Sequence, residues 1–111
     1  MQKVDKPWGY ELIWARTDRY VGKILFIKAG EALSLQYHKI KDETIYLFSG
    51  QMKLLLEADG DLKEHIVNPG EAFRIVPNIR HRMIAVSDCH VLEASTPELD
   101  DVVRLEDRYK R

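Results

Sequence analysis

The sequence predicts an all-β fold, a small antiparallel sandwich or barrel, from three observations. Short apolar runs recur at nearly regular intervals along the 111 residues, the spacing expected of strands in such a fold. Turn-forming residues sit between the runs. No window before about residue 98 carries the i, i+3, i+4 apolar stripe of a helix for three turns, so a βαβ parallel sheet has little support.

In chain order the runs are Ile24 to Ile27, Leu33 to Tyr37, Ile45 to Phe48, Met52 to Leu56, His65 to Val67, Phe73 to Val76, Met83 to Val86, and Val91 to Leu92. Ala29-Gly30, Ser49-Gly50, Asp59-Gly60, Asn68-Pro69-Gly70 and Ser87-Asp88 punctuate them. Asp-Gly is a strong hairpin signal, because both central residues of a type I′ turn need positive φ. Most connections are therefore expected to be tight antiparallel turns. Ahead of the first run, Trp8 and Tyr10 flank Gly9 beside Pro7, a setting in which aromatic residues either line a ligand pocket or, more often, pack a terminal strand against the core. The tail changes character: Glu98, Asp100 and Asp101 come first, and Arg104, Arg108, Lys110 and Arg111 follow. Acid first and base last suits the dipole of a short C-terminal helix, with an edge strand through Val102 to Leu105 as the alternative.

A chain of 111 residues is the size of one domain, expected here over residues 1–111. Seventeen Lys and Arg against eighteen Asp and Glu give a net charge of −1, without the basic excess that nucleic acid binding requires. Cys89 is the only cysteine, which excludes an internal disulfide and a Cys-rich zinc module and fits a reducing compartment. No run approaches ~18 apolar residues, and Met1 to Pro7 lacks the apolar core of a signal peptide. A cytoplasmic protein without membrane partners is the expectation.

Chemistry concentrates in Leu33-Ser-Leu-Gln-Tyr-His38, where strand alternation puts Leu33, Leu35 and Tyr37 on one face and Ser34, Gln36 and His38 on the other. Taken alone, this reads as an amphipathic strand with its polar face in water. Glu43 follows His38 after four residues and opens the next run, so a hairpin would return it beside Gln36 and His38. His65 and His90 have no paired acid or second histidine two residues away and read as structural or exposed.

The segment Gly30, Gln36, His38, Glu43, Gly50, at those spacings, resembles the first motif of the cupin superfamily, with Gln in place of the first His. Gly70, Val76-Pro77-Asn78 and His81 resemble the second motif, with Val and Asn where Pro and Gly are usual. Lys6-Pro-Trp-Gly-Tyr10, His81-Arg82 and Val102-Val-Arg-Leu-Glu-Asp-Arg-Tyr109 extend the likeness to the isomerase domain of type II phosphomannose isomerases, in order and spacing, from Lys6 to Arg111. The departures are Lys6 for Arg, a residue missing after Gly9, Thr44-Ile45 for His-Trp, and Tyr109-Lys110-Arg111 for Tyr-Gly-Arg.

The resemblance implies a double-stranded β-helix, a jelly-roll barrel, with Gln36, His38, Glu43 and His81 converging on one divalent metal ion inside it. Two imidazoles, a carboxylate and an amide oxygen leave coordination positions open, as a catalytic centre requires. Zinc is the first candidate, and Mn, Fe, Co and Ni are also admissible. The implied reaction interconverts mannose 6-phosphate and fructose 6-phosphate by moving a proton between C1 and C2. Such a reaction needs a cationic clamp for the phosphate, for which Arg82, Lys23, Arg104 and Arg108 are candidates. It also needs a base, for which Lys23, Glu106 and Asp107 are candidates. A homodimer is implied as well. The alternatives are a mononuclear iron or copper oxygenase and a non-catalytic, metal-dependent sugar-binding module.

Overall fold

The computed structural model describes residues 1–109 and is all-β, with no helix among them. Eleven strands are formed: β1 (Gln2–Lys6), β2 (Gly9–Arg16), β3 (Val21–Ile27), β4 (Leu35–Tyr37), β5 (Glu43–Ser49), β6 (Met52–Ala58), β7 (Asp61–Val67), β8 (Ala72–Ile75), β9 (His81–Ala85), β10 (Cys89–Ser95) and β11 (Val103–Glu106). Every apolar run read from the sequence overlaps one of β3 to β10. β1 and β2 are additional, joined at Pro7-Trp8 into an antiparallel hairpin with Lys6 opposite Gly9.

Two antiparallel sheets pack face to face, one ordered β1-β2-β3-β10-β5-β8 and the other β11-β4-β9-β6-β7. Asp59 and Gly60 both adopt positive φ, 53° and 84°, and close the β6–β7 hairpin as the Asp-Gly signal predicts. The hairpin expected between His38 and Glu43 is corrected at β4 and β5. These strands lie in different sheets, so residues 38–43 cross the sandwich instead of turning a hairpin. The tail is corrected too: β11 pairs with β4 as an edge strand in place of the short helix. Isolated helices this short are marginal, whereas β4 offers an unpaired backbone edge. Lys110 and Arg111, the basic end of the tail, lie outside the described residues.

Alternation along each strand fills the space between the sheets. Leu25 and Ile27 of β3, Ile45 and Leu47 of β5, Met52 and Leu54 of β6, Met83 of β9 and Val91 of β10 are buried there with Trp8. Trp8 thus takes the packing role expected of it, while Tyr10 stacks on Phe26 at 5.2 Å between ring centroids. The same inward rows turn polar toward one end of the sandwich: Lys23 precedes Leu25, Glu43 precedes Ile45, His81 precedes Met83, and Glu93 follows Val91. One end of the interior is a dry core and the other a polar chamber.

Candidate metal centre

The chamber gathers His38, Glu43 and His81, each at most 3% exposed, with one potential ligand atom from each lying within 4.8 Å of the others. Glu43 opens β5 in one sheet; His38 follows β4 and His81 opens β9 in the other. Glu43 Oε1 lies 3.1 Å from His38 Nε2 and 3.3 Å from His81 Nε2. On the far side of each ring, His38 Nδ1 meets the Asp101 carbonyl at 2.5 Å and His81 Nδ1 meets the Ile79 carbonyl at 3.0 Å.

Those carbonyls determine the chemistry of the cluster. A carbonyl oxygen only accepts, so each Nδ1 donates a ring proton to it, which leaves each Nε2, turned toward Glu43, as the ring atom available to a metal. Without a proton on Nε2, the two ring nitrogens and the carboxylate oxygen between them are all acceptors. His81 Nε2 is completely buried without a hydrogen-bond partner, the kind of orphan that a folded interior rarely tolerates. A cation among the three atoms resolves the mismatch. Metal-binding histidines characteristically donate the opposite ring nitrogen to a carbonyl or carboxylate, as both do here. With no thiolate in the set, the donors fit a divalent transition metal such as zinc or iron.

Charges around the cluster reinforce this reading. Lys41 Nζ lies 3.3 Å from Glu43 Oε2 and 3.1 Å from Glu93 Oε2, and Lys23 Nζ lies 3.4 Å from Glu11 and 3.8 Å from Glu93. Burial works to raise the Glu43 carboxyl, but His38, His81 and Lys41 prevail and hold it well below its ordinary value. Glu93 behaves oppositely: burial and the neighbouring Glu43 push it up to about 7, against the pull of Lys41 and Lys23. Burial alone would lower Lys41, yet Glu93 and Glu43 raise it to about 12. With Glu93 ionised, the ammonium groups of Lys23 and Lys41 face three carboxylates, Glu11, Glu43 and Glu93, one negative charge in excess that a divalent cation would reverse; with Glu93 protonated the two signs balance.

The sequence-derived site residues divide clearly. His38, Glu43 and His81 come together as expected. Gln36 lies opposite His81 in the β4–β9 pairing and lines the same cavity of about 390 Å³; its Oε1 accepts from Ser34 Oγ at 2.6 Å and keeps a second lone pair. Lys23 and Arg104 also line the cavity.

Arg82 does not reach it. His81 faces inward, so the next residue of β9 faces out, and Arg82 donates to the Leu33 carbonyl and lies 3.8 Å from Glu106. Glu106 is thereby committed to the outer surface at 71% exposure. Arg108 donates to the Gly30 carbonyl at 2.7 Å, and Asp107 accepts from the Tyr109 backbone, neither among the residues lining the cavity. His65 and His90 are structural as expected: His65 packs on Phe73, and His90 packs on Phe26 and bonds Ser49.

Sequence reading missed Lys41, Glu93 and Asp101. Glu93 shares its strand face with Val91, a parity signal that could have placed it inside. Asp101 carries no local pattern; its carboxylate accepts the backbone N–H groups of Lys39, Ile40 and Lys41 at 3.1, 2.7 and 2.9 Å, clamping the crossing segment.

Fold and site together define an antiparallel β-barrel with a candidate two-histidine, one-carboxylate metal centre at one end of its interior. Residues 23–95 match the cupin-domain family (Cupin_2), and the chain belongs to that family. The chain is 35% identical over 116 residues to the mannose-1-phosphate guanylyltransferase of Escherichia coli (strain K12) and 33% identical to mannose-1-phosphate guanylyltransferase ManC of Salmonella typhimurium. In both cases 99% of this chain matches, spanning only 23% of the relative's length. Among solved structures, KdgF from Halomonas sp. superposes with a TM-score of 0.78 at 21% identity, covering 90% of this chain and 91% of that one. Oxalate decarboxylase from Bacillus subtilis superposes with a TM-score of 0.80 at 16% identity, covering 94% of this chain and 30% of that one. At these identities the likeness establishes the fold alone. No helix among the described residues is long and apolar enough to cross a membrane.

Proposed function

We propose that this cupin binds one divalent metal ion, zinc first among the candidates, through His38, Glu43, His81 and Gln36, and acts on a sugar phosphate as an isomerase of the mannose 6-phosphate type. The observation carrying the metal reading is the pair of Nε2 atoms facing Glu43 Oε1, with both Nδ1 atoms committed to backbone carbonyls. The sugar phosphate reading draws on the sequence resemblance and on relatives named for mannose 1-phosphate chemistry. When bound, the ion supplies positive charge against the oxyanion that develops as a proton moves between adjacent carbons of an open-chain sugar.

The chain's own groups prepare that environment. Asp101 and Ile79 orient the imidazoles, Lys41 and Lys23 stabilise the carboxylates of the chamber, and Trp8, Leu25 and Met83 give the cavity an apolar floor. Cytoplasmic residence and a homodimer belong to the same proposal; the outer face of the six-stranded sheet exposes Trp14 and Phe48. Sedimentation velocity tests the dimer.

Metal analysis and a coupled assay test the function. Purified protein should carry one equivalent of divalent metal that is lost in His38→Ala and in His81→Ala, and metal-replete protein should convert mannose 6-phosphate to fructose 6-phosphate. Metal content unaffected by either substitution refutes the centre; turnover no faster than that of the double variant refutes the isomerase.

A further inference from the structure

The strand order identifies the side on which the cavity opens. β1 and β8 are the edges of one sheet, β11 and β7 those of the other. The short turn around residues 68–71 joins β7 to β8 and closes that flank, so β1 and β11 border the open one.

Pairing registers place two arginines on this flank at the level of the metal cluster. In one sheet, Arg104 of β11 lies opposite Gln36 of β4, which lies opposite His81 of β9. With strands about 4.8 Å apart, Arg104 stands roughly 10 Å from His81 across the sheet. In the other sheet, Arg16 of β2 lies opposite Val21, Val21 opposite Ser95, and Ser95 opposite Glu43, three strands or roughly 14 Å from the ligand. Both arginines line the cavity, one from each sheet, and both are exposed.

Their charge is uncommitted. Lys23 and Lys41, the deep cations, each lie between two carboxylates, whereas Arg16 and Arg104 have no ion-pair partner among the described residues. Asp100 is the acid lining the same flank. Lys6 also lines the cavity, but it lies at the opposite end of the β1–β2 hairpin from Arg16, beside Gly9.

We propose that Arg16 and Arg104 form the phosphate clamp of this site. They would grip the phosphate of a sugar phosphate whose hydroxyl and carbonyl oxygens face His38 and Glu43, the candidate ligands that line the cavity. The inference rests on the sugar phosphate reading and assigns it residues other than Arg82 and Arg108. Guanidinium groups suit the task because their planar donors engage two phosphate oxygens at once. A separation of about 10–14 Å between clamp and ligands, less the reach of an arginine side chain, accommodates an extended six-carbon chain between them. The cavity volume of about 390 Å³ suits a ligand of that size.

The test uses inorganic phosphate, mannose 6-phosphate and mannose as probes, titrated calorimetrically into the zinc-loaded and metal-free protein and into Arg16→Gln, Arg104→Gln and the double variant. The clamp predicts that wild type binds mannose 6-phosphate more tightly than mannose. It also predicts that each substitution weakens mannose 6-phosphate and inorganic phosphate by about tenfold or more, and that added salt weakens the wild type more than the double variant. Zinc stoichiometry and melting temperature should stay at wild-type values, since both side chains are exposed. Inorganic phosphate that fails to bind metal-free wild type, or binds the double variant equally well, overturns the clamp. Arginine-dependent phosphate binding without turnover of mannose 6-phosphate upholds the clamp and refutes the isomerase instead.

Discussion

Asp101→Ala tests whether the segment between the candidate ligands His38 and Glu43 is held from outside. In the native protein the Asp101 carboxylate accepts three backbone N–H groups, from Lys39, Ile40 and Lys41. Lys39 and Ile40 are exposed, so their amides rehydrate when the carboxylate is lost, at about 0.5–1 kcal/mol each. Lys41 is 4% exposed, and its amide loses a charged acceptor with less access to water, at about 1–2 kcal/mol. The sum, about 2–4 kcal/mol, corresponds to a melting temperature lower by about 9–17 °C in a domain of this size. The same segment sets the spacing of His38 and Glu43, and losing such an outer support weakens metal binding by about 10- to 100-fold. Scanning calorimetry of the metal-free protein and competition for zinc against a chromogenic chelator measure the two effects. A melting temperature within about 2 °C of wild type together with unchanged zinc affinity would refute the reasoning.

Three further predictions concern other parts of the chain. Saturating zinc, at about a thousandfold above its Kd, should stabilise wild type by about 4 kcal/mol, and EDTA should abolish the gain; His81→Ala should show no gain in the same melting experiment. Gly50 adopts φ of +91°, and an added Cβ would lie 2.2 Å from the Asp88 carbonyl oxygen, whereas Gly60, at φ of +84°, has nothing within 4 Å. Gly50→Ala should therefore cost about 3 kcal/mol or more in urea unfolding, and Gly60→Ala only about 1–2 kcal/mol, its left-handed backbone being the sole penalty. Finally, the Arg80 backbone N–H and guanidinium hold the half-buried Glu57 carboxyl below its ordinary value of 4.5. A depressed carboxyl stabilises the fold above its unfolded pKa and loses that contribution as pH falls through its folded pKa. Glu57→Gln should remove part of the stability lost below about pH 4.5, seen as a shallower acid limb in melting temperature against pH.

Most of the strand content was legible because inward and outward residues alternate cleanly in β5, β9 and β10, and because Gly and Asp mark the turns. β1 and β2 were less so: β1 is mostly polar and exposed, and β2 is interrupted by a bulge at Trp14, which breaks the period of two. The three ionisable residues of the cluster, His38, Glu43 and His81, were named through the resemblance to the family's motifs, but the route that joins them was not legible. Local sequence suggests a hairpin between His38 and Glu43, and only the pairing of β4 with β9 and of β5 with β10 shows that the chain crosses between sheets. Arg82 illustrates a different gap. Its adjacency to His81 in sequence suggested the same site, but neighbours on a strand point to opposite faces. Glu93 and Asp101 act on residues far away along the chain, a distance over which no local pattern speaks.

Because Glu43 belongs to one layer of the sandwich and both histidines to the other, the three donors become neighbours only after the layers have closed on each other. An unfolded chain, or either sheet alone, offers the ion at best two imidazoles or a lone carboxylate. Affinity for an ion at this candidate centre would therefore be a property of assembly, and the uptake of zinc during refolding would act as a clock for the docking of one sheet on the other.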